Sequence, residues 1–186
     1  PGFLAPMIYF DFVETQKLEG MLGIIKHNEV DILSLISLYT HITFQILRMD
    51  QDQTVKEAFE VGRWFSYLGE DRAAESTFAQ LATGESKEAF HSRWQLSLQL
   101  KKNKNYEAAS EIWMNLSKVA DDLIAFDSSL ELSKWFEHKK KDYEKALYYG
   151  QNAKKLMETG RVSKRESIFE IEKRLERITR KACNKN

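Results

Sequence analysis

The sequence predicts an all-α protein whose larger part is a series of helical hairpins, and two observations carry that expectation. Beyond about residue 54, apolar residues recur at the 3–4 spacing of a single helical face in one segment after another. Within that region Ala74, Ala109 and Ala146 each sit near the start of a helical segment, just after a short polar turn, at offsets of 35 and 37 residues. A repeat of this length is one supersecondary unit that cannot bury its apolar face alone, so neighbouring units must stack. A polar break, Asp50-Gln51-Asp52-Gln53, precedes the repeats and marks the expected domain boundary.

From the N-terminus, residues 1–23 hold both prolines, three of the eight glycines and the aromatic patch Ile8-Tyr9-Phe10-Asp11-Phe12. The stretch is too short for its own core and reads as irregular chain with one helical turn or short strand. Asn28 is a suitable N-cap, with Asp31 at the third helical position favouring the positive end of the helix dipole. A long helix is therefore expected from Asn28 to about Arg48, its apolar face formed by Ile32, Leu35, Ile36, Tyr39, Ile42, Phe44 and Ile46.

After the break, three segments share one pattern, which runs from Val61-Gly62-Arg63-Trp64-Phe65 to Phe78, from Trp94-Gln95-Leu96-Ser97 to Trp113, and from Leu130 to Gly150. The period is close to the roughly 34 residues of tetratricopeptide repeats. The alanine lets two helices approach, and the aromatic four residues later (Phe78, Trp113) fills the groove against the next hairpin. Gly62 and Phe65 fall where that pattern has its small residue and its aromatic. Repeats two and three depart there, Gly150 replaces the third aromatic, and the third inter-helix turn is one residue longer. The four tryptophans, Trp64, Trp94, Trp113 and Trp135, are expected in the core. Lys164 to Lys181, with Ile168, Ile171, Leu175 and Ile178 at helical spacing, is expected to cap the stack.

Composition narrows the class. With 42% hydrophobic and 30% charged residues, the chain reads as a soluble globular protein. No run approaches the roughly 18 apolar residues of a membrane span, so no membrane partner is expected. One cysteine, Cys183, leaves no disulfide framework and no cysteine zinc site, and points to a reducing, cytoplasmic setting. Pro1 in place of Met suggests a fragment. Net charge is zero but uneven: residues 1–133 hold 12 Lys and Arg against 20 Asp and Glu, and residues 134–186 hold 16 against 8. The basic end, with His138, Lys139, Lys140 and Lys141, is a candidate nucleic-acid contact, although a basic inter-helix turn is the commoner meaning of such a run.

The residues with most chemical potential are His27 and Asp31, whose four-residue spacing stacks an imidazole and a carboxylate on one helical face. In isolation such a pair is more often a hydrogen-bonded helix feature than a site. The flanks alter that weighting. Pro1-Gly2, Ala5-Pro6 and Tyr9-Phe10, followed by His27-Asn28-Glu29-Val30-Asp31-Ile32-Leu33-Ser34-Leu35, resemble the end of the RNase H-like domain in DEDD-type bacterial exonucleases. The family resembled is that of the DNA-repair exonucleases linked to mitomycin damage, in which a tetratricopeptide-like region follows the nuclease domain. Leu132 to Leu147 and Glu172 to Arg177 resemble that region.

The resemblance implies a fold in which the terminal helix of an RNase H-like domain (residues 1–49) precedes a TPR-like helical-hairpin superhelix with a capping helix (54–182). It implies His27 as general base and Asp31 as ligand to Mg²⁺ or Mn²⁺, in a metal-dependent 3′–5′ DNA exonuclease. The other carboxylates of that site are not in this chain, so the fragment alone is expected to bind no metal and to be inactive. Implied partners are DNA, through the complete protein, and a protein or peptide on the concave face of the repeats, a helicase among the candidates. A stand-alone TPR-like adaptor without catalysis is the alternative reading.

Overall fold

A computed structural model describes residues 2–119, 121–160, 162 and 168–183. Among these the fold is all-helical, with nine α-helices and no strand. It divides into two compact units, Pro1–Gln53 and Thr54–Asn186.

In the first unit a single 3₁₀ turn, Gly2–Leu4, leads into α1 (Ala5–Thr15), and α2 spans Glu19–Ile46. This corrects two expectations. The N-terminal stretch is not irregular, and Asn28 lies inside a helix instead of capping one. Pro6 occupies the first turn of α1, where its missing N–H leaves no helical bond unmade. Gln16, left-handed at φ 56°, ends α1 by donating its N–H to the Phe12 carbonyl. Gly20, a poor helix former, is tolerated because α1 packs there. A Cβ on Gly20 would meet Ile8 Cγ2 at 2.8 Å, so the glycine exchanges propensity for close approach.

The remainder of α2 is apolar on more than one face. Ile32, Leu33, Leu35, Ile36 and Leu38 are all more than half exposed, and Gln45 is the one buried residue among those described in this helix. The intervening hydroxyls are satisfied within the helix. Ser34, Ser37, Thr40 and Thr43 donate to the carbonyls four residues back at 2.7–2.9 Å.

The second unit is α3 (Val55–Leu68), α4 (Asp71–Leu81), α5 (Lys87–Lys102), α6 (Tyr106–Leu116), α7 (Asp122–Trp135), α8 (Tyr143–Glu158) and α9 (Ile168–Cys183). Helices pack in sequential pairs, α3 on α4, α5 on α6 and α7 on α8, and successive first helices also touch. Helix starts are written locally. Thr54 and Glu57 form a capping box, and the Ser86, Asn105, Asp121 and Asp142 side chains each accept a first-turn N–H. Lys164 of the expected capping segment lies outside the described residues. The α9 that follows packs on α8 and buries Ile171 and Ile178, whereas Ile168 is exposed.

Hairpin geometry repeats at the backbone as well as in the sequence. The first helix of each hairpin ends on a left-handed residue, Gly69 (φ 81°), Lys104 (φ 61°) or Lys141 (φ 52°), five positions before Ala74, Ala109 or Ala146. The two additional residues of the third repeat therefore lie within α7 and its wide last turn, Phe136–Lys140. All three alanines are fully buried.

In each hairpin a small residue of the first helix receives the second helix. A Cβ on Gly62 would meet Phe78 Cε1 at 2.8 Å, and Ser97 Oγ accepts a 2.8 Å bond from Trp113 Nε1. Ser133 Oγ donates to the Ala146 carbonyl at 2.9 Å. The aromatics thus pack first within their own hairpin, not only against the next. Repeats two and three do keep the small position, as serine. At Gly150 the aromatic is excluded because a Cβ there would meet Leu175 Cδ2 of α9 at 2.7 Å. Trp113 and Trp135 are core, but Trp64 is about half exposed, because α3 opens the stack and no helix of its unit precedes it.

Candidate functional site

His27 and Asp31 lie near the middle of α2, one turn apart, with Nε2 3.5 Å from Oδ2 and both side chains largely exposed. With Gly20 and Gly23 they line a groove of about 470 Å³ between α2, α1 and the first 3₁₀ turn. The two glycines keep the helix surface low beside the pair. An exposed pair of this kind contributes little to stability, so its chemistry and not its energy is of interest. Asp31 offers a hard oxygen ligand and His27 a proton acceptor. Mg²⁺ needs about six oxygens, and among the described residues no group of three or more His, Cys, Asp or Glu side chains can hold a metal. Asp31 fits such an ion as one ligand of several, not as a complete site.

The basic run at the end of α7 is divided by the fold. Lys140 Nζ lies 2.8 Å from Glu107 Oε1 and 5.3 Å from the Trp135 ring centre, whereas Lys139 Nζ lies 5.1 Å from the Tyr106 ring. Lys141 supplies the left-handed turn. His138 Nε2 stands 3.3 Å from Oε2 of Glu137, whose side chain is fully buried. Arg177 holds that carboxylate by two bonds, Nε to Oε1 at 2.9 Å and Nη2 to Oε2 at 2.8 Å, and Lys181 adds a third at 2.7 Å. Burial pushes the Glu137 carboxyl up, but the bonds from Arg177 and Lys181 outweigh it and hold the pKa at about 2. Only His138 and Lys139 of the run reach a cavity of about 360 Å³ shared by α5, α6, α7 and α9.

Comparison with known proteins bears on the first of these regions. Residues 1–43 match the RNase_H superfamily. That segment contains α1, nearly all of α2, and both His27 and Asp31. Over 182 residues the chain is 34% identical to the uncharacterized protein YprB of Bacillus subtilis (strain 168), covering 97% of this chain and 43% of that protein. The chain therefore spans less than half the length of this relative. No solved structure matches it. The N-terminal unit is an RNase H-like superfamily segment, and no described helix is long and apolar enough to cross a membrane.

Sequence reasoning missed the groups that converge on Glu137. Arg174, Arg177 and Lys181 follow one another at 3 and 4 residues, which places them on one face of α9. That spacing was a readable signal. Its counterpart was not, because Glu137 sits in a Lys-rich turn where a carboxylate reads as ordinary surface.

Proposed function

We propose that residues 1–49 close the RNase H-like domain of a metal-dependent 3′–5′ DNA exonuclease, and that the hairpins of residues 54–182 are its TPR-like scaffold or partner-binding module. The observation that carries this reading is the His27–Asp31 pair, one turn apart on a groove-lining face inside the segment that matches the RNase_H superfamily. The exposed apolar faces of α2 support it. A helix apolar on several sides, with its hydroxyls bonded internally, suits burial on all sides in a larger domain.

In that domain Asp31 would be one ligand to Mg²⁺ or Mn²⁺, with further carboxylates supplied from outside this chain. A bound pair of such ions stabilises the attacking and leaving oxygens of phosphodiester hydrolysis. His27, one turn before Asp31, would accept the proton of the attacking water at a ring nitrogen.

The test uses the full reading frame containing this chain, with DNA labelled at either end and either divalent ion. Asp31→Ala and His27→Ala are each expected to lower the rate of 3′-end shortening by about a hundredfold or more. Undiminished activity in Asp31→Ala would sink the assignment.

A further inference from the structure

The cavity shared by α5, α6, α7 and α9 has a composition that neither region's role explains. Its floor is aromatic: the Tyr106 and Trp135 rings stack with centres 5.4 Å apart and planes 13° from parallel, beside the buried Trp113. Its rim is basic, formed by Lys101, Lys134, Lys139, Arg174 and Arg177 with the His138 ring, and Glu131 is the one carboxylate in the lining among the described residues. Glu131 is already shared between Lys101 and Lys134, and these two hold its carboxyl below the usual range against the opposing effect of burial. Glu137, behind the rim, is saturated by Arg177, Lys181 and Arg174. Around the cavity the cations therefore outnumber the carboxylates, and nearly every polar group facing it is a donor.

We propose that this cavity binds one nucleotide of a single-stranded DNA segment, with the phosphate held on the Lys139–Arg174 rim and the base against the Tyr106–Trp135 floor. Two features favour nucleic acid over an acidic peptide. A peptide backbone presents N–H groups as well as carbonyls, and here its N–H groups would find only the occupied Glu131. A phosphodiester backbone presents acceptors alone, which suits Lys139 and the N–H groups that Lys101, Lys134, Arg174 and Arg177 have left beyond their carboxylate pairs. Tyr106 has one face on Trp135 and the other under Lys139. A base would stack on the Tyr106 face that Lys139 uncovers as it turns to the phosphate, and every base has a π face for that contact. The choice of DNA as the strand rests on the nuclease reading above. The cavity's affinity for a nucleic-acid strand does not.

The experiment is fluorescence anisotropy of the 186-residue chain with labelled oligo(dT) of about twelve nucleotides, at low salt in EDTA, where no metal-dependent cleavage can occur. Oligo(dT) should bind, weaken steeply with added salt, and outcompete a duplex of equal length several-fold. Lys139→Glu should weaken binding about tenfold or more. Tyr106→Leu, which keeps apolar bulk but removes the ring, should weaken it about fivefold or more. Lys118→Glu, the same charge change at an exposed residue outside the cavity lining, should stay within about twofold.

Absence of oligo(dT) binding would overturn the proposal, as would equal binding of duplex and single strand or equal effects of Lys139→Glu and Lys118→Glu. So would an oligoglutamate peptide that binds more tightly than oligo(dT) and is lost in Lys139→Glu. Circular dichroism of each variant checks that it is folded. If the strand binds while the full reading frame lacks nuclease activity, the enzymatic reading fails and the cavity stands. The converse result removes the cavity alone.

Discussion

The two units of this chain are both helical and both rich in apolar residues, yet they use those residues in opposite ways. In the hairpin unit apolar side chains meet neighbouring helices across alanine, glycine and serine, on nearly every side of α7, so that Phe78, Trp113, Leu132, Ile171 and Ile178 are sealed. In the N-terminal unit α2 spreads Ile and Leu around its circumference and buries almost none of them. One unit carries its own core. The other carries an apolar helix surface and the reactive pair His27–Asp31. Apolar content alone does not separate these cases, because burial depends on whether a second element of matching shape lies within the same unit.

The largest effect that sharpens this contrast is expected at Trp113. Trp113→Ala should cost about 3–5 kcal/mol in urea unfolding, since it empties a sealed site and leaves the Ser97 hydroxyl without its 2.8 Å donor. Leu35→Ala in the same chain should cost less than about 0.5 kcal/mol, because Leu35 is mostly exposed. In the full reading frame the Leu35 substitution should become a core-type loss of about 2–5 kcal/mol if α2 is buried there. Equal, small losses in both contexts would break the comparison and the burial argument with it.

Glu137 is expected to have the next largest effect. Glu137→Gln removes a buried carboxylate from Arg177 and Lys181 and should destabilise by about 3 kcal/mol. Its pKa is depressed to about 2 from an ordinary 4.5, so its contribution is fully present above pH about 4.5 and is lost as pH falls through about 2. Urea midpoints of wild type and Glu137→Gln should converge over that interval. A constant gap between them down to pH 2 would remove the ion cluster as the cause.

How much of this was readable in advance follows the range of the interactions. The alanine period and the polar break are local, and they appear in the sequence as spacing. The first unit was misread because Asn28-Glu29-Val30-Asp31 is a good capping sequence, whereas the contact that extends the helix upstream, Ile8 on Gly20, joins separate helices. Ser97 and Ser133 were overlooked as small positions because a serine on a helix reads as surface until Trp113 Nε1 or the Ala146 carbonyl is found beside it. The cavity draws residues from four helices between Lys101 and Arg177, and no single segment announces it. The His27–Asp31 pair was visible as spacing, and its placement beside a groove came only with α1 folded against α2.

A glycine comparison tests the two packing regimes at smaller scale. Gly62→Ala should cost about 1–3 kcal/mol, because the new methyl meets Phe78, which is sealed and cannot withdraw. Gly23→Ala, where nothing lies within 4 Å, should instead be neutral or stabilise α2 by up to about 1 kcal/mol in the same urea experiment. A loss at Gly23 as large as at Gly62 would mean that the first unit is more tightly packed than its exposure suggests.

The smallest effect concerns the turns. Gly69, Lys104 and Lys141 hold the same left-handed position in successive hairpins, and only the first is a glycine. A lysine there carries roughly 1 kcal/mol of backbone strain, which the hairpin accepts because the next N–H must reach back into the helix, as Asn105 does to the Leu100 carbonyl at 2.9 Å. Lys104→Gly should therefore stabilise the chain by about 0.5 kcal/mol, relief of strain being partly offset by the greater freedom of glycine in the unfolded chain. Gly69→Ala should lose about 1 kcal/mol for the converse reason. If the two substitutions shift the urea midpoint in the same direction, the shared turn geometry is not what sets the hairpin period.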